Sequence, residues 1–489
     1  MGTRTVFALS FALEVVEIIL CPVHILLRRG VRSNESEINA ARACGPTRYS
    51  KLRFQSELRH ESFAKFMKHY SNPALDLAVI GGGIVGLATA MTWLQTHPGQ
   101  RVTVLETEAR VGQHQSGHNS GVIHSGIYYQ PGSEKALLCR EGKTKLEAFC
   151  EKHGIRWEKC GKVVVATDPS ELNSLERIIE RADLNGVEFR RITTDQLRQL
   201  EPSVAGVDAI VVPETGIVDY RSVCDAYRHC IEEMGGSVQL GFQVQHLDAD
   251  DSGVRMAGVD HNQSSGKFDI RARSAIVCAG LHSDTLVRQS ESDASRSDTE
   301  SLSEEVRIIP FRGEYYELRP ERRGLCRNLI YPVPDPAFPF LGVHFTRMID
   351  GNVECGPNAV LALAREGYRW RDIDVRYLQR TLGYSGFRRL IQKHWRKGLG
   401  EMNRSLRKSA FVTALQKLIP ELRASDLIPA RAGVRAQAVR ANGELVDDFL
   451  FRSTPNVTHV LNAPSPAATA SLAIARRVIE QHQNQNPNS

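Results

Sequence analysis

Three glycines and a glutamate carry the first chemical signal. Gly81, Gly83 and Gly86 read G-x-G-x-x-G, and Glu106 stands 20 residues beyond the last of them. The first glycine allows a tight turn, the second lets the backbone approach a pyrophosphate, and the third lets a helix pack closely on a strand. The helix that follows presents free N–H groups and its positive dipole end to the phosphates. A carboxylate at 106 suits a ribose diol and argues against a 2′-phosphate, so FAD or NAD fits and NADP does not. Further on, His114 to Gly126 is a loop dense in glycine and small polar residues, followed at once by Ile127, Tyr128 and Tyr129. Such a loop can run beside a flat ring and donate backbone N–H bonds to it.

The elements that must hold these residues are legible around them. Leu77-Ala78-Val79-Ile80 is an apolar run of strand length, Ile84 to Leu94 carries apolar residues at helical spacing, and Val102 to Leu105 is a second strand ending in Glu106. Strand, glycine turn, helix, strand is the unit that builds parallel sheets. Two more short apolar strands, Ala275 to Cys278 and Val457 to Leu461, lie far downstream. Their separation predicts one nucleotide-binding domain interrupted by a second. The expected segments are 74–150, 213–288 and 425–480 for the first and 151–212 with 306–424 for the second. The polar stretch 289–305 reads as a surface loop and 481–489 as a disordered tail.

Composition narrows the partners. Over 489 residues, 62 Lys and Arg against 56 Asp and Glu leave +6, too dilute for nucleic acid, and residues 1–75 alone hold 11 Lys/Arg against 6 Glu. The ten cysteines include no C-x-x-C pair, so neither a metal site nor a disulfide framework is expected. Val6 to Leu27 is apolar and long enough to cross a bilayer, but Glu14 and Glu17 would each cost about 3 kcal/mol near a helix centre. Residues 1–73 therefore read as an extension plus linker, either membrane-associating or upstream of the working start, with Met67 a candidate start. Arg388, Arg389, Lys393, His394, Arg396 and Lys397, interleaved with Leu390, Ile391 and Trp395, form a basic amphipathic stretch, suited to an anionic membrane surface or simply a solvated helix face.

Several blocks in order carry a resemblance. They include Gly117 to Tyr129, Gly216 to Arg221, Pro310 to Tyr315, Phe338 to Phe345, Gly356 to Ala362, Ala432 to Gln437 and Asn462 to Thr469. From about Leu75 to Ile479 the chain resembles the FAD-dependent D-amino-acid-oxidase-like family, and within it the L-2-hydroxyglutarate dehydrogenases. The resemblance implies an α/β fold: a glutathione-reductase-type, Rossmann-like FAD-binding domain interrupted by a mixed-sheet α+β substrate domain. It implies that Gly81, Gly83, Gly86 and Glu106 bind the ADP half, that Val244 meets the adenine, and that Ala279 and Gly280 pass the pyrophosphate. Ser116, Asn119, Ser120 and Gly121 would line the isoalloxazine. Ser465, Ala467 and Ala468, where a strand end runs into a helix, would aim a helix N-terminus at the flavin C2 carbonyl. Arg431, where relatives tend to have proline, and Leu363-Ala364, in place of phenylalanine and lysine, depart from the pattern.

Oxidising a 2-hydroxy acid requires cations for carboxylates, a base for the hydroxyl proton and a hydride acceptor. By the resemblance Arg435 holds a substrate carboxylate; Arg312, in an otherwise apolar stretch, and Lys135 are the further anchors for a five-carbon diacid. Each could instead serve a structural ion pair. His344, His124 and His118 are the candidate bases, histidine having the fitting pKa, and Tyr315 is a candidate hydroxyl clamp. The implied reaction is L-2-hydroxyglutarate to 2-oxoglutarate, with electrons passed to a quinone or to oxygen. The alternatives are a flavin enzyme for glycerol 3-phosphate or a D-amino acid, or a flavin-binding membrane scaffold without turnover. The implied location is cytoplasmic and peripheral on the cell membrane in a bacterium, or mitochondrial in a eukaryote.

Overall fold

Leu77, Ala78 and Val79 are wholly buried in the strand Leu75–Ile80, as expected of a parallel strand covered on both faces. The computed structural model describes residues 75–264, 266–291, 306–335 and 342–486. The apolar run 6–27, the linker after it and residues 292–305 of the polar stretch lie outside the described residues. Leu75–Ile80 sits between Val102–Glu106 and Lys267–Val277, parallel to both. Ser237–Leu240 extends the sheet parallel on one side, and Val457–Asn462 pairs parallel with Lys267–Val277 on the other. Phe242–Asp250, Gly253–Asp260 and Leu450–Thr454 complete eight strands by antiparallel pairing.

Helix Ile84–Thr96 is buried nearly all round, with Leu87, Ala88, Met91 and Trp93 almost inaccessible. It is wedged between the sheet and the helices Tyr220–Glu233 and Ser471–Gln485, so an amphipathic pattern would not serve it. Close approach sets its start: a Cβ on Gly86 would stand 2.0 Å from the Gly81 carbonyl oxygen, and Gly81 itself has φ +108°.

A second eight-stranded sheet is mixed. Leu329–Pro332 runs parallel to Lys162–Ala166, and the other pairings, through Asp208–Val212 and Arg190–Ile192 on one side and His344–Arg347, Val353–Gly356, Tyr316–Leu318 and Leu427–Pro429 on the other, are antiparallel. A smaller antiparallel sheet places Val306–Gly313 between Val360–Leu361 and Gly433–Arg440. The fold is α/β, a Rossmann-like layer combined with a mixed sheet.

Two boundaries differ from the sequence reading. Residues 427–440, expected in the nucleotide-binding layer, pair instead with strands near 306–318, a long-range choice that local pattern does not encode. The tail from 481 is not disordered as far as it is described: the last helix runs to Gln485. His482 is wholly buried there, bonding Thr458 Oγ1 at 2.8 Å and meeting the edge of Trp93, and burial pushes its pKa down to about 4. Its polar composition hides a spacing in which Val478, Ile479, His482 and Asn486 face inward.

Candidate active site

The glycine turn opens onto a cavity of about 1490 Å³, larger than a drug-sized pocket and sufficient for a dinucleotide with a small acid beside it. Gly81, Gly83, Gly86, Glu106, Val244, Ala279 and Gly280 all line it. A Cβ on Gly83 would meet only Ser116 Oγ, at 3.4 Å, because that glycine faces open space where a pyrophosphate can approach. Glu106 is buried; its two oxygens accept N–H bonds from Gly82 at 2.6 Å and Glu108 at 2.8 Å. Burial pushes its carboxyl pKa up and those donors oppose the shift, which holds the oxygens at the strand end. These features fit the ADP half of FAD.

The loop 114–121 is shaped by its own polar side chains. Ser116 Oγ accepts the Ile84 N–H at 2.9 Å, capping the helix start. Asn119 donates to the carbonyls of Gln115 and Ser116 and accepts the Gly121 N–H at 2.9 Å, which curls the loop. Ser116, Asn119 and Ser120 line the cavity. Gly121 does not. At φ +66°, with a Cβ that would press within 2.6 Å of the Val218 carbonyl oxygen, it turns the chain rather than facing a ring. On the far wall Ser465, Ala467 and Ala468 line the cavity, but the helix starts only at Ser471, later than the reading placed it.

The other end of the cavity gathers Arg435, Tyr315, His344, His124 and Lys135. The Arg435 guanidinium bonds the Tyr315 hydroxyl and partly offsets the rise in phenol pKa that burial causes. His344 is buried, stacks on Tyr331 with ring centroids 4.0 Å apart, and bonds the Gly342 carbonyl through Nδ1 at 2.8 Å. A carbonyl only accepts, so Nδ1 carries the hydrogen and Nε2 keeps its lone pair. Burial, Arg435 and Lys162 push the His344 pKa down to about 3, against the Gly342 bond. Burial, Lys162, His344 and Lys135 hold His124 well below its usual range; its Nε2 lies 3.4 Å from Ser465 Oγ. His118, lowered chiefly by burial, lies against Tyr368 and bonds the His114 carbonyl, farther along the loop. Lys135 reaches the cavity at a helix start, paired to Asp447 at 2.8 Å.

Arg312 is not brought to the site. Phe311 stands opposite Arg435 and Arg312 opposite Val434, so the two arginines leave opposite faces of their sheet. Arg312 is buried, stacked 4.1 Å from the Trp370 ring centroid and paired with Glu314 at 3.1 Å. It serves the structural ion pair.

The sequence reading passed over Lys162, at the head of the buried strand Lys162–Ala166, and Tyr331 beside it. A lysine opening an apolar run was the available signal. It also passed over Glu366, which meets His282 at 2.9 Å across the cavity mouth. Glu108, His114 and Glu366 bring three ligand-capable atoms within 4.8 Å of one another, with His114 bonded to Glu108 at 3.1 Å.

The profile of the FAD dependent oxidoreductase family matches residues 76–481. The chain is 50% identical to an L-2-hydroxyglutarate dehydrogenase of Indibacter alkaliphilus, over 82% of this chain and 97% of that one. It is 44% identical to the mitochondrial L-2-hydroxyglutarate dehydrogenase of Mus musculus, over 83% and 87%. Among solved structures, the FAD-bound L-alpha-glycerophosphate oxidase of Mycoplasma pneumoniae superposes with a TM-score of 0.65 at 20% identity, over 84% and 95%, a likeness of fold. With the glycine cradle, Glu106 and the matched span in agreement, the chain belongs to the FAD dependent oxidoreductase family.

Proposed function

We infer that this chain oxidises L-2-hydroxyglutarate to 2-oxoglutarate, using FAD. The observation that carries the reading is the end of the cavity: a guanidinium and a phenol, Arg435 and Tyr315, beside a histidine held neutral with a bare Nε2. Bound FAD supplies a two-electron acceptor for the hydride on C2. The Arg435 fork takes one carboxylate in bidentate fashion, and Tyr315 bonds the same group or the hydroxyl. His344 Nε2 takes the hydroxyl proton; burial, with the charges of Arg435 and Lys162, keeps it neutral beforehand, and a dianionic substrate beside it offsets the cationic part of that field. Of the other lining cations, Arg365 is engaged by Asp284 and Arg181 bonds the Tyr128 carbonyl, so Lys135, partly satisfied by Asp447, is assigned the distal carboxylate. The names of the curated relatives support this substrate.

Anaerobic addition of L-2-hydroxyglutarate to the yellow holoenzyme is expected to bleach the flavin band near about 450 nm within one turnover. No bleaching with this acid, but bleaching with glycerol 3-phosphate or a D-amino acid, would replace the substrate.

The electrons then pass to a quinone or to oxygen, and one surface favours a membrane route. Helix Ser385–Leu406 buries Phe387 and Leu390 but exposes Trp395, Leu399 and Leu406 on one stripe, with Arg388 on the same stripe and Arg396 beside it. Among the described residues no helix is long and apolar enough to cross a membrane. The reading is a peripheral contact with anionic lipid. Sedimentation with phosphatidylserine vesicles, lost on phosphatidylcholine and in a Trp395→Ala/Leu399→Ala variant, is the expected result; equal behaviour on both lipids would remove it.

A further inference from the structure

Lys162 is 1% exposed, the first residue of a strand whose other members are all buried valines and alanine. Its strand lies beside Leu329–Pro332, with Lys162 opposite Leu329 and Val164 opposite Tyr331. Ile330 in turn stands opposite Phe345 of the next strand. Alternation therefore puts Lys162, Tyr331 and His344 on one face of three adjacent strands. The contacts agree: the Lys162 ammonium lies 4.4 Å from the Tyr331 ring centroid and 5.2 Å from that of Tyr128, and His344 stacks on Tyr331. Tyr128, Tyr331, His124 and His344 line the cavity, and Lys162 stands one ring behind them.

Among the described residues no carboxylate pairs with this ammonium. Burying an unpaired cation is costly, and two aromatic faces repay only part of the cost. The fold leaves a positive charge at the wall of a site built for anions, beside His344 and His124, two of the three candidate bases. We propose that Lys162 is a positioning residue, supplying from behind Tyr331 and His344 the positive field that draws a dicarboxylate into the cavity. The proposal rests on the hydroxy-acid reading above.

The field is switchable by pH. Burial lowers the Lys162 pKa to about 8, so the charge is present below that pH and lost above it. The groups that face it titrate elsewhere. His344 is pushed down to about 3 and His124 well below its usual range. Cys139 and Cys160 are pushed up to about 12 and about 11, and the Tyr128 and Tyr331 phenols are raised too.

The test uses glutarate, which carries both carboxylates and no oxidisable hydroxyl, and reads its Kd from the flavin absorbance of the holoenzyme alongside kcat/KM for L-2-hydroxyglutarate. In the native enzyme both should weaken as pH passes about 8. Lys162→Met should lose at least tenfold in each at about pH 7 and show no further break up to about pH 9. Lys162→Arg, whose charge does not titrate there, should restore much of the affinity and stay flat. A methionine variant with the native pH profile overturns the proposal, as does an arginine variant that matches methionine. If Lys162→Met does not fold, the native and arginine enzymes decide: the same break in both, or none in the native, refutes the assignment. Glutarate that does not bind the native enzyme also refutes it. Failure of L-2-hydroxyglutarate to bleach the native flavin strikes the substrate reading instead, because the glutarate titration requires no turnover.

Discussion

Gly83→Val yields a folded but colourless protein. Gly83 sits at φ −76° and ψ 173°, a backbone that any residue adopts, and its Cβ would meet nothing closer than Ser116 Oγ at 3.4 Å. The valine therefore costs the fold little, but its methyl groups occupy the space a pyrophosphate must enter. Loss of FAD affinity by at least a hundredfold, about 2.7 kcal/mol, is expected, with a circular dichroism spectrum like that of the native protein. Gly86→Val is the contrasting case: its Cβ would collide with the Gly81 carbonyl, so that variant should fail to fold. FAD retained by the Gly83 variant at native stoichiometry would show that the phosphates lie elsewhere.

What could be read from the sequence was local. The strand, turn and helix from Leu75 to Thr96 are written in contiguous residues, and Glu106 follows at the end of the next strand. The residues that meet at the far end of the cavity come from strands far apart in the chain, and which face each side chain takes depends on register. Arg312 shows the consequence. A single-residue step separates it from Phe311, the residue opposite Arg435, and that step turns it to Trp370 and away from the cavity. The resemblance places Arg435, but for Arg312 only its type and apolar neighbourhood speak, and those do not give a face. Lys162 shows the converse: its run, Lys-Val-Val-Val-Ala, reads as an ordinary buried strand until Tyr331 and His344 are placed beside it. The polar tail was misread for a related reason, since His482 and Asn486 gain inward-facing partners only once Thr458 and Asn456 are nearby.

Arg435→Lys is expected to lower kcat/KM for L-2-hydroxyglutarate by more than tenfold, about 1.4 kcal/mol or more, with a raised KM. Lysine keeps the charge beside His344 but loses the planar fork, so a carboxylate held by two parallel N–H bonds keeps one. It also loses the bond to the Tyr315 hydroxyl, and the phenol is free to swing out of register with the substrate. Lactate, which shares only the C1 carboxylate, discriminates between the two ends of the diacid. If Arg435 holds C1, both substrates suffer alike; if it holds the distal carboxylate, L-2-hydroxyglutarate suffers and lactate is nearly spared. Arg312→Lys is the control, because its guanidinium stacks on Trp370 and pairs with Glu314 outside the cavity. It should lower the melting temperature and leave the ratio of the two kcat/KM values unchanged. A native kcat/KM in the Arg435→Lys enzyme would take that arginine out of the carboxylate site and leave Lys135, at the cavity wall, as the residue to test in its place.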